Sequence, residues 1–233
     1  PIQFLTGNVI LASNVIFMFS FALSGLFAFL LANYILRNKA LAFLCGFIFA
    51  FNPYVFAQAI DGHTNLITTW IIPLYTLLLL KALNWNTIRP KFLIATAIVA
   101  ALQLYNDFTY TAFLLIETAL IFSFYFAAQI FKKDWKKVKD LVITGLAIGL
   151  LTALLGSPLL YEVFKATRNG FRASSPTWVQ NVWSADLLTF VRPNDQTTFL
   201  KNPWTPNIGT VEGTAFLGYS IIVLAGLYLL LRV

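Results

Sequence analysis

The sequence predicts an all-α protein whose helices form a transmembrane bundle of about seven spans. Of the 233 residues, 59% are hydrophobic and only 11% are charged, whereas about 25% of the residues of a soluble globular protein are charged. The mean hydropathy is +0.77. Several apolar segments approach the length of about 20 residues that a membrane helix needs. Together these observations exclude an ordinary soluble domain, a disordered chain and a fibrous repeat.

The predicted spans follow one another with short connections. They cover residues 9–36, 40–60, 66–83, 91–105, 108–131, 141–160 and 213–231. Asn52 and Pro53 interrupt the second span, because proline removes a backbone donor and breaks a helix. Residues 161–212 are rich in tryptophan and proline, which predicts a folded cap on the outer membrane face. We therefore expect a bundle in residues 1–160, the cap in 161–212 and a last span in 213–233.

Lysine and arginine residues fall on every second connection between the predicted spans. These residues are Arg37, Lys39, Lys81, Arg89, Lys91, Lys132, Lys133, Lys136, Lys137 and Lys139. Basic loops stay on the cytoplasmic side, so we expect a multi-pass protein of the cell membrane whose first residue lies outside. This topology explains much of the net charge of +7 without a nucleic acid partner. Contact of the lysines with anionic membrane lipid remains an alternative use for them.

Polar side chains cluster in the predicted outer connections. Asp61, His63 and Asn65 follow the second span, while Asn106 and Asp107 follow the fourth. If the outer helix ends converge, these side chains would line one outward-facing pocket. His63 is the only histidine and Cys45 the only cysteine, which excludes metal sites built from several histidines or cysteines. An imidazole titrates near neutral pH, so His63 is either a general base or phosphate ligand, or an interfacial loop residue.

Glu117 lies about ten residues into the fifth predicted span. A charged side chain at that depth costs about 2.5–3.5 kcal/mol on insertion scales. Helical spacing places Asp107, Tyr110 and Leu114 on the same face, so this face is expected to point inward. Glu117 would then either line a polar cavity or proton path, or be a neutral carboxylic acid bonded to a neighbouring helix.

Three basic residues follow the sixth predicted span. Lys165, Arg168 and Arg172 are spaced three and four residues apart, so they can share one helical face. Arginine binds phosphate groups with two parallel hydrogen bonds. The alternative is an interfacial helix whose basic side chains extend toward the lipid headgroups.

Several loosely defined motifs occur in an order that resembles a known superfamily. They are the segments 20–32, 46–54, 62–66, 70–74, 184–188 and 212–219. The chain thereby resembles the C-type glycosyltransferase superfamily (GT-C), membrane enzymes that use polyprenyl-phosphate-linked sugars. The resemblance implies transfer of a sugar to a glycan, lipid or protein acceptor at the extracytoplasmic face. It also implies a catalytic acid in an earlier outer loop, upstream of Pro1, so that these residues would be an internal fragment.

The resemblance and the polar turns together suggest a set of site residues. The expected catalytic residues are His63, Asp61 and Asp107, and the expected substrate-binding residues are Asn65, Asn106, Glu162, Arg168 and Arg172. Metal dependence is left open, since an oxygen-rich site can hold magnesium or manganese. The alternative function is a transporter or lipid flippase, which Glu117 and the broken second span would suit.

Overall fold

A computed structural model describes residues 4, 6–83, 89–171 and 218–232. Within these residues the chain forms helices, turns and bends, with no strand. The helices are α1 (Val9–Leu36), α2 (Lys39–Ala50), α3 (Pro53–Ile60), α4 (Ile71–Ala82), α5 (Pro90–Asn106), α6 (Phe108–Phe131), α7 (Trp135–Arg168) and α8 (Tyr219–Arg232). The all-α prediction is confirmed.

Four segments among the described residues are long and apolar enough to cross a membrane. They are Val9–Leu36, Lys39–Ile60, Phe108–Phe131 and Trp135–Arg168, and they correspond to the first, second, fifth and sixth predicted spans. Their apolar side chains remain outside the helix packing, as Phe124 with 71% and Leu150 with 70% exposed surface illustrate. Large apolar surfaces of this kind mark contact with a partner or a membrane. The structure is therefore that of a membrane protein.

The other three predicted spans correspond to helices that are shorter, within the described residues, than these four segments. Their described parts, α4, α5 and α8, contain 12, 17 and 14 residues. At 1.5 Å per residue, α4 is about 18 Å long, which is less than the roughly 30 Å of a bilayer core. The expectation of a helix from residue 66 was wrong, because the chain runs through turns before α4 starts at Ile71.

The break in the second span is confirmed, and its backbone groups are hydrogen-bonded. Asn52 ends the interruption as the N-cap of α3, where its Oδ1 accepts a hydrogen bond from the N–H of Val55 at 3.0 Å. Its Nδ2 donates to the carbonyl of Phe49 near the end of α2, at 2.7 Å. Pro53 lies in the first turn of α3. The N–H groups of a first turn have no acceptor within the helix, so a proline there costs no helical hydrogen bond. One asparagine thus joins the two half-helices.

The described chain divides into two compact units. Among the described residues, the first contains residues 4 and 6–25, Leu44–Thr69 and α8, and the second contains Leu26–Phe43, residues 70–83 and residues 89–171. In the second unit, α5 packs against α4, α6 and α7. Its buried core includes Ile71, Tyr75, Leu79, Leu93, Leu114, Leu141 and Ile148.

Helix α7 continues beyond the predicted cap boundary at residue 160. It ends at Arg168, followed by Asn169 as C-cap and by Gly170 with φ of 89°. Residues 161–168 contain no helix-breaking residue, whereas a glycine in the left-handed region is a common helix terminator. The rest of the predicted cap lies outside the described residues, apart from Asn169, Gly170 and Phe171.

Helices α6 and α7 are joined by a very short turn. Lys133 adopts a φ of 55°, and the N–H of Asp134 donates to the carbonyl of Gln129 at 3.0 Å. The Asp134 carboxylate then accepts the N–H of Lys137 at 3.1 Å and so caps the start of α7. Asp134 therefore takes part in both the end of one helix and the beginning of the next.

Two glycines of α7 allow a direct test of packing in the second unit. We expect Gly156→Ala to destabilise the protein by about 1–3 kcal/mol, because the new methyl group would overlap with the buried Leu104 of α5. Gly149→Ala is the matched control, since nothing lies within 4 Å of its added carbon. There alanine should stabilise the helix by about 0.5–1 kcal/mol. Unfolding in detergent measures both values, and equal stabilisation by the two substitutions would contradict the described α5–α7 packing.

Candidate functional site

The turn that carries His63 begins with a hydrogen-bonded end of α3. Asp61 is the C-cap residue. The N–H of Gly62 donates to the carbonyl of Ala59 at 3.2 Å, and the N–H of His63 donates to the carbonyl of Gln58 at 3.0 Å. These two bonds form a Schellman motif, which requires a left-handed residue after the cap. Gly62 meets that requirement with a φ of 74°, and the motif turns His63 back over the last turn of α3.

The side chain of His63 is bound by the same residue as its main chain. Its Nδ1 lies 2.7 Å from Oε1 of Gln58. Gln58 is only 1% exposed, and His63 is half-buried. Sequence reasoning missed Gln58. A signal was available, because glycine after a predicted helix end indicates a Schellman motif, which brings residues 58 and 63 together.

The remainder of this turn is held by main-chain and side-chain hydrogen bonds within the first unit. The carbonyl of His63 accepts hydrogen bonds from the N–H groups of Leu66 at 3.0 Å and Ile67 at 3.3 Å. Ile67 is fully buried. At the end of the turn, the hydroxyl groups of Thr69 and Ser24 are 3.0 Å apart, and both residues are buried. The backbone that carries His63 is thus anchored to the buried side of α1.

The two other predicted site residues of this turn differ in their surroundings. The Oδ2 atom of Asp61 is buried and has no hydrogen-bond partner among the described residues. Asn65 is exposed, and its main-chain carbonyl accepts a hydrogen bond from Oγ1 of Thr68 at 2.6 Å. The structure therefore brings Asp61, His63 and Asn65 into one short turn, as their sequence spacing requires.

Asp107 has a structural role in the second unit. It is the N-cap of α6, where its Oδ1 accepts the N–H of Tyr110 at 2.9 Å. Its main-chain carbonyl accepts a hydrogen bond from Nε2 of the buried Gln103 at 3.2 Å. The neighbouring Asn106, the last residue of α5, is half-buried. Helix capping accounts for an aspartate here, whatever its part in catalysis.

The remaining predicted binding residues lie on the last turns of α7 or outside the described residues. Glu162 and Arg168 are both exposed. The guanidinium carbon of Arg168 is 5.1 Å from the ring centre of Phe164, a distance typical of a cation–π contact. Arg172 lies outside the described residues. The predicted convergence of these residues with the His63 turn stays a prediction.

Glu117 contacts a threonine of a neighbouring helix in the second unit. The hydroxyl group of Thr76 on α4 donates to its Oε1 at 2.5 Å. One residue earlier on α4, the Tyr75 hydroxyl lies 2.6 Å from that of Thr118. Tyr110 and Leu114 are buried, with 4% and 3% exposed surface, so this face of α6 points inward as predicted. The contact matches the alternative in which Glu117 is bonded to a neighbouring helix.

The described residues contain no cluster of side chains that could hold a metal ion by themselves. Among them, no three histidine, cysteine, aspartate or glutamate side chains are close enough together to hold a metal ion. Magnesium commonly binds through one or two carboxylates and substrate phosphates, a requirement that a residue such as Asp61 would fit.

Comparison with known proteins identifies a family. Residues 10–233 match the family described as a domain of unknown function, DUF6311. The match covers nearly the whole chain, so the protein belongs to this family. No curated protein and no solved structure is significantly similar to the chain.

Proposed function

We propose that this member of the DUF6311 family is an integral membrane glycosyltransferase similar to the GT-C enzymes. It transfers a sugar from a polyprenyl-phosphate-linked donor to a glycan, lipid or protein acceptor. The observation that supports this most is the His63 turn. A half-buried imidazole, hydrogen-bonded to Gln58, directly follows the candidate span Lys39–Ile60, which supports a site at the end of a membrane helix for a lipid-linked donor.

The reaction requires a base, a leaving group and stabilisation of negative charge. The acceptor hydroxyl forms a bond to the anomeric carbon of the sugar while the bond from that carbon to the phosphate oxygen breaks. His63 receives the hydroxyl proton, and the polyprenyl phosphate leaves with the electron pair. Basic groups would stabilise the charge on this phosphate, which is the role that the sequence predicts for Arg168 and Arg172. Asp61 and Asn65, which lie in the same turn as His63, would contact the sugar or the acceptor.

The proposed topology places this chemistry outside the cytoplasm. The lysine-rich turn after α6, with Lys132 and Lys133, would remain cytoplasmic under the positive-inside rule. The His63 turn then lies on the extracytoplasmic face of the cell membrane. The proposal keeps the seven spans and the outer cap in residues 161–212 that the sequence predicts.

The alternative function, a transporter or lipid flippase, would use Glu117 as a polar group within the membrane. Its hydrogen bond to Thr76 at 2.5 Å gives the carboxyl group a packing partner. This bond explains a carboxyl group at that depth without a transport path. The enzyme proposal is therefore favoured.

A reconstituted transfer assay separates the two functions. The purified protein is placed in lipid vesicles with radiolabelled polyprenyl-phosphate sugars. We expect release of polyprenyl phosphate and appearance of the label in an acceptor or in free sugar. If the donor only becomes accessible on the opposite side of the bilayer, chemically unchanged, the protein is a flippase and the enzyme proposal is wrong.

A further inference from the structure

One lysine of the second unit lies between two aromatic rings where three helices meet. Nζ of Lys81, in the last turn of α4, is 5.7 Å from the ring centre of Tyr34 on α1 and 5.5 Å from that of Phe92 on α5. Nζ of Lys91 is 5.1 Å from the centre of the Phe92 ring. We propose that the two lysines and the two rings form a binding site for the phosphate headgroup of an anionic membrane lipid.

The positive charge of Lys81 is not neutralised within the part of the chain that the structure describes. Lys81 is half-buried. Its side chain contacts the two rings there, and no carboxylate forms an ion pair with it. Residues 84–88, which connect α4 to α5, include no acidic residue. A ring face attracts an ammonium group but leaves its charge in place, so this lysine retains the capacity to bind an anion.

Two positive charges share the Phe92 ring. Phe92 is half-buried and packs against the core of the second unit, so the fold fixes its position. The ammonium groups of Lys81 and Lys91 lie 5.5 and 5.1 Å from its centre, and like charges held near one another repel. Lys91 also lies in the first turn of α5, where the helix dipole favours an acidic residue. A phosphate group would offset this repulsion, because its oxygens can accept hydrogen bonds from both ammonium groups.

Exposed apolar side chains continue from these residues along two of the helices, which favours a lipid over a soluble phosphate. Leu30 lies one turn before Tyr34 on α1, while Ile94 and Ile98 lie one and two turns after Lys91 on α5. This spacing places each of them on the same helical face as the site residue of its helix, and all three are exposed. Since α1 is a candidate membrane span, acyl chains would lie against these side chains. Basic pockets between membrane helices bind anionic headgroups in this way.

Native mass spectrometry of the full chain tests the proposed site. The purified protein, in a neutral detergent, is titrated with phosphatidylglycerol or with phosphatidylcholine, which has the same phosphate but no net charge. No sugar donor is present, so the result does not depend on the proposed function. We expect the wild-type protein to bind phosphatidylglycerol at least about 10-fold more tightly, because Lys81→Gln should weaken this binding about 10–100-fold, the contribution of a hydrogen bond to a charged group.

Matched variants separate this site from the general attraction of a basic surface. Lys139→Gln removes the same charge from an exposed position on α7 and should weaken binding no more than about 5-fold, the usual contribution of a lysine near a membrane surface. Lys81→Arg keeps the charge and can keep both ring contacts, so it should retain the binding. Lys91→Gln changes an exposed residue, so it can be measured even if Lys81→Gln does not fold, and it should weaken binding more than Lys139→Gln does.

Three outcomes would overturn the proposal. Equal effects of Lys81→Gln and Lys139→Gln would mean that surface charge alone attracts the lipid. An effect of Lys91→Gln no larger than that of Lys139→Gln would show that the shared ring is not part of a site. Displacement of phosphatidylglycerol by excess inorganic phosphate would identify a site for the free ion, because a lipid held also by its acyl chains should resist this competition.

Discussion

His63→Ala is expected to lower the rate of sugar transfer by about 10²–10⁴-fold, the usual contribution of a general base. The substitution removes the imidazole but keeps the main-chain hydrogen bonds that His63 makes to Gln58, Leu66 and Ile67. The turn should therefore persist while its chemistry is lost. The measurement is the initial rate of transfer from a polyprenyl-phosphate-linked donor, at saturating donor, by equal amounts of folded protein.

Thr64→Ala provides the matched control for this experiment. Thr64 is the next residue of the same turn and is half-buried, and its N–H donates to the carbonyl of Gly62 at 2.9 Å. Alanine preserves that main-chain bond, so transfer should remain near the wild-type rate. An equal loss in both variants would mean that the turn, rather than the imidazole, supports the reaction. Unchanged transfer in His63→Ala would remove this residue from the site.

Thr76→Val is expected to lower the free energy of unfolding by about 1–3 kcal/mol, because it removes a hydrogen-bond partner of the half-buried Glu117 carboxyl group. Valine has nearly the same shape as threonine but cannot bind the Glu117 carboxyl group, whose oxygen lies 2.5 Å from the Thr76 hydroxyl. Unfolding in mixed detergent micelles, followed by helical circular dichroism, measures the difference.

A double substitution shows whether the unpaired carboxyl group causes this loss. Adding Glu117→Leu to Thr76→Val should recover most of the stability, because replacing both polar partners with apolar groups is nearly neutral. Tyr75→Phe should cost only about 0.5–1.5 kcal/mol, since Thr118 keeps its bond to the Leu114 carbonyl at 2.6 Å. The pairing is refuted if Thr76→Val is as mild as Tyr75→Phe, or if Glu117→Leu brings no recovery.

Local signals in the sequence predicted the features that depend on a few neighbouring residues. The bounds of α6 agree with the predicted span at residues 108–131 because its apolar run is long and begins next to a capping aspartate. The break at Asn52 and Pro53 follows from the missing proline N–H. The inward face of Glu117 follows from helical periodicity, since Leu114 lies one turn before it.

Features that depend on packing or on exact turn geometry were harder to predict. The late start of α4 at Ile71 could not be inferred from the apolar pattern. Apolar residues before it, such as the buried Ile67, lie in a turn and not in a helix. The N-cap role of Asp107 was not predicted, although aspartate is a preferred residue at that position. Gln58 was missed because its importance arises from contact with a residue five positions later.

The turn between α6 and α7 also bears on how the chain enters the membrane. The N–H of Asp134 donates to a carbonyl in the last turn of α6, and its carboxylate caps α7. Only residues 132–134 therefore separate the two helices. If both candidate spans cross a membrane, this connection would make them a helical hairpin with Lys132 and Lys133 at its tip. Because basic residues are retained in the cytoplasm, this hairpin would fix the direction of both helices during synthesis, independently of the segments that precede it.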